Sequence, residues 1–431
     1  MRKFCSFWLF AAFASAVCSL FLAVTPAVAA TGANICNPRS YGAKGNGVAK
    51  DTTAIQRAIN ACEAKGGGTV VLSPGAYLSG PVVLKSNITL DLKKGATLLG
   101  SPDFKDYPKI TEFRAPGRQA LVSATDASHV SIIGSGTING NGSGWWKAFL
   151  KHLVAEGRNT HFTRPRLIVF DHCDHVLIEG ITAENSPMWQ IVPYYSDYVT
   201  IRNIRVLAPP HSVNTDAVDP FASQHVLIEH VYANVGDDDV AIKSGMPNST
   251  NNRASRYITI KDCTFMRGHG LSIGSEIAGG AQHIYADNIT FDGTGNGIRI
   301  KANRDRGNDV SDIVFKNIHM KNVPNALIIS EFYPHKFPPK PDLPAPVTRL
   351  TPHFHNITIE NMTAINSRNA GVIAGLPEAP IRGLVFVHVT IDAQKGMFIS
   401  NAQVEDKDLV VHASEGKDIT TLAGAKLVSM H

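Results

Sequence analysis

Three short stretches decide the fold that this sequence predicts: HVLIEGI at 175–181, YVTIRNI at 198–204 and HVLIEHV at 225–231. Each opens on His or Tyr, alternates apolar with polar residues, and runs on into Asn, Gly or a charge. Such alternation is typical of a short β-strand with one buried face. Related stretches recur from about residue 85 onward, and their first apolar residues are Ile88, Val130, Val176, Val199, Val226, Ile258, Ile284, Ile313, Ile357 and Leu384.

The spacing of these repeats predicts a solenoid. Most lie 23 to 32 residues apart, and three separations of 42 to 46 indicate one period with an insertion or a skipped coil. Short β-branched runs at this period, with Gly and Asn between them, are typical of stacked strands. The leucine consensus of leucine-rich repeats and the amphipathic stretches of helical repeats are missing from the sequence. We therefore predict an all-β fold, a single-stranded right-handed parallel β-helix with coils about 4.8 Å apart.

A short capping helix is predicted at the N-terminal end of the solenoid, where the first coil needs a cover. The helix is expected over residues 51–64 behind an Asp51 N-cap. Its apolar face would consist of Ala54, Ile55, Ala58, Ile59 and Cys62. Two inserts, at 141–166 and 333–352, interrupt the repeat, and ordered loops of this length are often functional.

The first 30 residues have the pattern of a secretory signal peptide. Two basic residues precede a long apolar run, and the small residues that end it near Ala30 favour cleavage over an uncleaved membrane anchor. We expect a secreted protein, extracellular or periplasmic, with no membrane association after cleavage. Residues 31–431 are predicted to form a single β-helix domain whose N-terminal cap spans about 31–85.

Charge and cysteine content narrow the class of protein. The formal net charge is +5, and it becomes +3 when the two basic residues of the signal are removed. This is too small to favour nucleic acid or an anionic membrane as a partner, and we expect a monomer. Four cysteines would remain, enough for up to two disulfides in an oxidising compartment. Cys36 with Cys62 is the preferred pair, whereas Cys173 and Cys263 are about as well explained as buried free thiols.

Charged side chains recur in the second half of four consecutive coils. Because similar offsets line up on one face of a β-helix, we expect them to form a ladder. Two carboxyl groups in a cleft can divide into a protonated acid and an ionised base. A separation of roughly 6.5–9.5 Å between the two carboxyl groups would suit an inverting glycosidase, although stacking also allows the distance of about 5 Å found in retaining enzymes. The ladder consists of Asp216, Asp237, Asp238, His269, Arg299 and Lys301.

Each of these charged residues also has a simpler explanation. The sequence NTD at 214–216, which contains Asp216, is a common turn. Three consecutive Asp residues, as at 237–239, are usually a solvated turn or a Ca²⁺ site. A His between glycines is most often structural, and Arg or Lys on a strand is usually surface charge. Their appearance in chain order on consecutive coils favours a shared function, because unrelated surface residues would scatter around the solenoid.

Together the motifs resemble those of the glycoside hydrolase family 28 polygalacturonases. NTD at 214–216, GDD at 236–238, GHG at 268–270 and RIK at 299–301 occur in the family's order. YGAKGNGVAKDTTAIQRAI near the N-terminus and NSPMWQIVP extend the resemblance over most of the mature chain. It implies a right-handed parallel β-helix that hydrolyses the α-1,4 bonds of pectic galacturonate with inversion, without a metal or another cofactor.

The resemblance also implies roles for the catalytic motif residues. Asp237 would be the general acid, and Asp216 with Asp238 would position and deprotonate the attacking water. His269 would tune the protonation of the acid or hold the geometry of the site.

Four further residues would bind substrate, according to the same resemblance. Arg299 and Lys301 would hold a galacturonate carboxylate at the cleavage point. Asn214 would support the substrate or Asp216, and Tyr333 is a weaker candidate for the same subsite.

Asp239 departs from the family pattern, which often has Cys or a small residue after the Asp pair. Period-two alternation sends Asp239 to the opposite face from Asp238. We expect a buried or edge carboxylate with a local partner rather than a third catalytic acid. Asp219 is likewise expected to be structural.

Several other functions fit parts of the pattern. Rhamnogalacturonan or xylogalacturonan hydrolases would keep the fold, although the presence of Asn214 and His269 favours homogalacturonan. A Ca²⁺-dependent pectate lyase would use clustered Asp and an Arg, and a non-catalytic adhesin or carbohydrate-binding protein would need none of this chemistry. The inserts and the stretch GIRIKANRDRG favour exo over endo action.

Overall fold

Parallel strands dominate the protein, in a computed structural model that describes residues 34–157, 160–248, 252–334 and 342–430. The segment interpreted as a signal peptide lies outside the described residues. From Asn34 onward the chain forms one compact unit. Within the described ranges, one hairpin provides the sole antiparallel pairing between strands. The predicted right-handed parallel β-helix is confirmed.

Three stacks of strands run along the solenoid. The first consists of Ile35–Cys36, Gly68–Leu72, Ile88–Leu92, Ser128–Gly134, Asp174–Glu179, Asp197–Arg202 and Gln224–Glu229. The second consists of Asn46–Lys50, Gly75–Ser79, Ala96–Gly100, Thr137–Asn139, Thr182–Glu184, Arg205–Leu207 and Tyr232–Asn234. The third consists of Val82–Val83, Val122–Thr125, Ile168–Asp171, Ile191–Tyr194, Val240–Ile242, Leu271–Gly274, Asn296–Lys301 and Asn325–Ser330.

Longer strands continue the solenoid towards the C-terminus. They are Ser255–Met266, Ala281–Asp292, Asp309–Lys321, His353–Ala374, Ile381–Ser400, Ala402–Thr421 and the short Lys426–Ser429. Outside the stacks lie the hairpin Lys109–Glu112 with Ala115–Arg118 and two 3-10 turns at Pro38–Tyr41 and Phe104–Asp106.

The apolar residues that define the repeat lie in register. Val176 pairs with Val199, Val199 with Val226, and the pairing continues coil by coil to Leu384. All ten repeat residues are at most 2% exposed and belong to one continuous core. Val130 also pairs directly with Val176, so the long separation between them comes from an insertion and not from a skipped coil.

The His or Tyr that opens many repeats also has a structural role. Six of these residues have φ values of 53–56°, a left-handed conformation that non-glycine residues seldom adopt. Their rings stack on one another with centroids 4.8–5.0 Å apart, close to the coil spacing. The stacked rings are those of His129, His175, Tyr198, His225, Tyr257 and His283.

The predicted capping helix, α1, spans Thr52–Glu63, and all five residues of its predicted apolar face are buried in the main core. The predicted capping role of Asp51 is wrong. Its carboxylate makes no hydrogen bond to the helix and instead accepts the N–H groups of Lys44 at 2.7 Å and Gly45 at 2.9 Å. The preceding turn offers Asp51 two backbone donors, and the side chain binds these.

The first insert contains a helix that the sequence analysis did not predict. This helix, α2, spans Ser143–Glu156 and buries Trp145, whose ring stacks on Phe104 at 3.8 Å and meets Tyr107 edge-on at 5.3 Å. Aromatic packing of Trp145 against Phe104 and Tyr107 therefore holds α2 on the solenoid. Neither α1 nor α2 is long and apolar enough to cross a membrane.

The cysteine pairing follows the preferred interpretation. Cys36 and Cys62 form a disulfide that ties α1 to the first strand of the first stack. Cys173 and Cys263 are buried free thiols.

Removing the disulfide in the variant C36A/C62A is expected to lower the free energy of unfolding by about 3 kcal/mol, because a bridge over 26 residues restricts the unfolded chain. Guanidinium unfolding followed by circular dichroism measures this. The variant C173A removes a buried thiol without a cross-link and should lose less. Equal unfolding midpoints for C36A/C62A and the wild type would contradict the prediction.

Candidate active site

The fold brings the predicted motif residues onto adjacent coils at the third stack. The N–H of Ala217, within the first motif region, donates to the carbonyl of Asp238 at 2.9 Å. The N–H of His269 donates to the carbonyl of Asp237 at 2.8 Å. The next strand, Asn296–Lys301, carries the RIK motif and pairs with the strand that follows His269. Backbone pairing thus sets the spacing of the side-chain ladder.

Asp238 is buried between the two cations of the RIK motif. Lys301 Nζ lies 3.0 Å from Asp238 Oδ2, and Arg299 Nη2 donates to Asp238 Oδ1. Arg299 is held in turn by a 2.9 Å bond from its Nε to Ser272 Oγ. Burial opposes ionisation of Asp238, but Arg299 and Lys301 outweigh it and hold its pKa well below the usual range. Asp238 is therefore an ionised carboxylate.

Asp237 is more open than Asp238, with a side chain 23% exposed against 2%. Its Oδ1 accepts the N–H of Asp238 at 2.9 Å and lies 2.9 Å from His269 Nδ1. Its Oδ2 faces the amide nitrogen of Asn214 at 3.5 Å. Among the residues that the structure describes, Oδ1 thus makes two short contacts and Oδ2 a single long one.

The glycines of the GHG motif leave room for Asp239. A Cβ on Gly268 would lie 2.7 Å from Asp239 Oδ2, and Gly268 has a φ of +123°. The N–H of Gly270 donates to the same oxygen at 3.0 Å. Asp239 is fully buried, and burial raises its pKa well above the usual value. The expectation of a buried carboxylate with a local partner is confirmed, and that partner is a backbone N–H.

Lys243 is a buried cation beside Asp216, and sequence reasoning missed it. Its Nζ lies 3.7 Å from Asp216 Oδ2, 3.5 Å from Glu276 Oε2 and 4.9 Å from the centroid of the Trp189 ring. Burial by itself would lower the pKa of Lys243, but the surrounding carboxylates raise it above its usual value. The lysine therefore stays charged and balances these carboxylates.

Asp216 differs in its electrostatics from Asp238. It is buried, and burial together with the nearby Asp219 raises its pKa well above the usual range, although Lys243 acts in the opposite direction. Burial also raises the pKa of Asp219 to about 8. Neither carboxylate oxygen of Asp219 meets a hydrogen-bond partner among the described residues. The surroundings of the two carboxyls thus favour ionisation of Asp238 and disfavour ionisation of Asp216.

Tyr333, the weaker candidate for a substrate contact, lies next to the RIK motif. Lys301 Nζ stands 5.5 Å from the centroid of its ring. The N–H of Tyr333 donates to the carbonyl of Ala302 at 2.8 Å, which ties the second insert to the strand that carries Arg299 and Lys301.

An aromatic wall stands beside the site on the N-terminal coils. The tip of the hairpin places Phe113 against Tyr194, with centroids 4.2 Å apart. The guanidinium of Arg166 lies between the rings of Phe113 and Trp189, 4.0 and 4.4 Å from their centroids, and forms an ion pair with Glu112. These side chains cover the outer face of the third stack before the motif coils.

The missed site residues share one property. Each belongs to the site through a contact with a residue on another coil or in an insert, and sequence spacing does not reveal such contacts. Lys243 follows the Asp triplet in the stretch DDDVAIKSG at 237–245, and Trp189 lies in NSPMWQIVP, so both stand beside recognised motifs. Glu276 ends the stretch RGHGLSIGSE in the same way.

One group of described residues has metal-ligand types close together: the donor atoms of Asp237, Asp238 and His269 lie within 4.8 Å of one another. Both oxygens of Asp238, however, already bind Lys301 and Arg299. Two fixed cations at this carboxylate disfavour a divalent cation, which would need the same oxygens. The donor set therefore fits ion pairing better than metal binding.

A model of the family described as "Glycosyl hydrolases family 28" matches residues 62–407. The chain belongs to glycoside hydrolase family 28. A probable polygalacturonase from Vitis vinifera is 31% identical over 372 residues, which cover 81% of this chain and 73% of that protein. An endo-polygalacturonase from Pectobacterium carotovorum subsp. carotovorum is 32% identical over 303 residues, which cover 66% of this chain and 73% of that protein.

The family 28 fold is also evident in solved structures. A hyperthermoactive exopolygalacturonase from Thermotoga maritima matches with a TM-score of 0.74 at 26% identity, covering 88% of this chain and 91% of that one. The protein is accordingly a glycoside hydrolase built on the parallel β-helix of its family.

Replacing the buried cation in K243M is expected to lower the free energy of unfolding by about 3 kcal/mol at pH 8, because breaking a buried ion pair leaves charge uncompensated. The loss should shrink at pH 4. Lys243 helps to hold the pKa of Glu276 below its usual value. Without Lys243, the buried Glu276 binds a proton more tightly when folded than when unfolded, so stability falls as pH rises above about 4, the pKa of unfolded carboxyls. Thermal unfolding between pH 4 and 8 measures this.

The matched control is K316M, which removes a partly exposed lysine paired with Glu360 at 3.0 Å. Its unfolding should follow the wild type at every pH, because exposed ion pairs contribute little. A K243M variant with wild-type stability at pH 8 would show that Lys243 does not balance the carboxylates.

Proposed function

We propose that the protein is a polygalacturonase, which hydrolyses the α-1,4 bonds of homogalacturonan. The observation that carries this proposal is the ion-paired Asp238 beside the more open Asp237, in a family 28 hydrolase. An ionised carboxylate and a neighbouring carboxyl group that can hold a proton are the two components that glycosidic hydrolysis requires.

Asp237 acts as the general acid in this proposal. Its Oδ2 carries the proton, since Oδ1 is already bound by His269 and by the N–H of Asp238. The proton passes to the glycosidic oxygen as the bond from that oxygen to the anomeric carbon breaks. Water attacks the opposite face of the sugar and yields its proton to a carboxylate, which inverts the anomeric centre.

Asp238 is the group prepared to accept that proton, and Asp216 helps to position the water. The motif resemblance assigns deprotonation to the two residues jointly. The electrostatics of the free protein favour the ionised Asp238, because the pKa of Asp216 is raised by its burial and by Asp219.

The charge balance at the RIK motif supports an acidic sugar as substrate. Arg299 and Lys301 together carry two positive charges, and Asp238 neutralises one of them. One positive charge remains for a galacturonate carboxylate, with Tyr333 beside Lys301 to line the same subsite. Homogalacturonan, with a carboxylate on each unesterified unit, fits better than an alternating polymer that has fewer acids.

The other functions receive less support. The oxygens of Asp238 that a Ca²⁺-dependent lyase would use are held by cations, and family membership favours catalysis over a purely adhesive role. Rhamnogalacturonan or xylogalacturonan hydrolysis remains the alternative within the fold.

The cellular location and the oligomeric state of the protein are part of the same proposal. We propose a secreted monomer that acts on pectin outside the cytoplasm, with no nucleic acid or membrane partner. The disulfide between Cys36 and Cys62 supports an oxidising compartment.

Exo action is proposed because the hairpin and α2 lie beside the site. Phe113 at the hairpin tip packs on Tyr194, and α2 packs on Phe104, so both segments contact coils before the motifs and would close one end of a cleft along the solenoid. The similarity to the Thermotoga maritima exopolygalacturonase supports the same mode, while the similarity to the Pectobacterium endo-polygalacturonase points to endo action.

Hydrolysis is tested by the release of reducing ends from polygalacturonate at mildly acidic pH. The wild type should release them, and D237N should be slower by about 10²–10⁴-fold, because an amide cannot supply the proton of a general acid. The control D392N alters an exposed aspartate on the far C-terminal strands and should match the wild type. No reducing ends from the folded wild type would reject the proposal.

The mode of action is tested by sizing products during the first minutes. Exo action predicts mono- or digalacturonate alone, whereas a spread of oligomers would indicate endo action. A hydrolase should form no unsaturated product absorbing in the ultraviolet and should retain activity in chelator. Loss of activity in chelator together with ultraviolet-absorbing products would instead indicate a lyase.

A further inference from the structure

Arg164, at the end of the first insert, is a buried cation that bonds to the loop of the first motif. It is 4% exposed. Its Nη1 donates to the carbonyls of Val213 at 2.7 Å and Pro187 at 2.9 Å, and its Nη2 donates to Asn214 Oδ1 at 2.7 Å. One guanidinium thus holds the backbone before Asn214 and the side chain of Asn214 itself.

These contacts determine which way the Asn214 amide faces. An arginine has only donors, so the group facing its Nη2 must be the amide oxygen. The amide nitrogen then faces Asp237 Oδ2 at 3.5 Å. The donor on Asn214 therefore points to the Asp237 oxygen that accepts no short hydrogen bond from the described residues.

The helix of the first insert supports this arrangement. The Phe149 ring of α2 covers the guanidinium of Arg164, 3.8 Å from its central carbon, a cation–π contact that strengthens when the cation is buried. A chain of direct contacts therefore joins α2 to Arg164, Arg164 to Asn214 and Asn214 to Asp237.

We propose that Arg164 is a positioning residue for hydrolysis, which fixes the Asn214 amide with its N–H₂ group towards Asp237, and that α2 holds Arg164 in place through Phe149. This inference rests on the proposed role of Asp237 as general acid.

The orientation matters for proton transfer. With the observed orientation, the amide donates to Asp237 Oδ2 and favours the carboxylate that remains after the proton has left. With the opposite orientation, the amide oxygen would accept the Asp237 proton and hold it away from the glycosidic oxygen. Loss of the restraint by Arg164 should therefore lower kcat and leave KM nearly unchanged.

The charge of Arg164 has a separate effect. Its positive charge lies near Asp216 and favours the ionised form of that carboxyl. Removing the charge raises the pKa of Asp216 further, so the acidic limb of the pH–rate profile should shift to higher pH. Orientation and charge can thus be separated by comparing variants.

The experiment measures kcat, KM and the pH–rate profile on polygalacturonate for R164M, R164K, N214A and R164M/N214A. We expect R164M and N214A each to lower kcat by about tenfold or more with KM changed less than about threefold. The double variant should have the kcat of N214A alone, because residues that act through one another are non-additive.

R164K separates the two effects, since a lysine keeps the charge but cannot reproduce the fork that binds Asn214 and two carbonyls. It should keep the wild-type pH profile and still show a low kcat. F149L, which removes the ring above the guanidinium, should lower kcat less than R164M does. The matched control R205M removes an exposed arginine stacked on Tyr232 at 4.4 Å and should match the wild type.

Three results would overturn the inference: wild-type kcat in R164K or N214A, a double variant whose loss is the product of the two single losses, or KM rising in R164M while kcat holds. Circular dichroism melts check folding, and if R164M fails to fold, R164K and N214A decide. A wild type without activity would reject the proposed function instead, so the two failures are distinguishable.

Discussion

Backbone hydrogen bonds between parallel coils are the constraint on which the rest of the structure depends. Each repeat residue pairs with its counterpart on the next coil, from Val130 through Leu384. Because this register is kept, motifs more than 80 residues apart in sequence end up a few coil spacings apart. A slip by one residue in any coil would turn its buried side chains outwards and displace the motif that follows.

Charge balance is the second constraint, because the site concentrates carboxylates where water is scarce. Asp238 is matched by Arg299 and Lys301, and Lys243 lies between Asp216 and Glu276. Buried charges persist only when they are paired. The unequal pairing also gives Asp216 a raised pKa and Asp238 a lowered one, so carboxyls of one site differ in their tendency to ionise.

The inserts connect the regular solenoid to the irregular site. Helix α2 packs through Trp145 on the loop around Phe104, and through Phe149 on Arg164. The hairpin places Phe113 next to Arg166, which stacks on Trp189. Such segments can change without disturbing the coil register, so they are the parts of the fold that can change the shape of the cleft.

The sequence by itself determined the solenoid, its register and the chain order of the motif residues, because each of these follows from local periodicity and spacing along the chain. It also indicated that Asp239 differs in role from Asp238, since alternation along a strand is a local property. The disulfide and the apolar face of α1 followed from short-range patterns in the same way.

Only the tertiary structure decided which charges meet. Lys243 and Arg164 act through partners on other coils, and α2 lies in an insert that interrupts the repeat and contacts Arg164 through Phe149. The Asp51 side chain binds the turn before it instead of its helix, because two backbone donors there face its carboxylate. Pairing between charges depends on distances and burial in three dimensions, and periodicity along the chain contains neither.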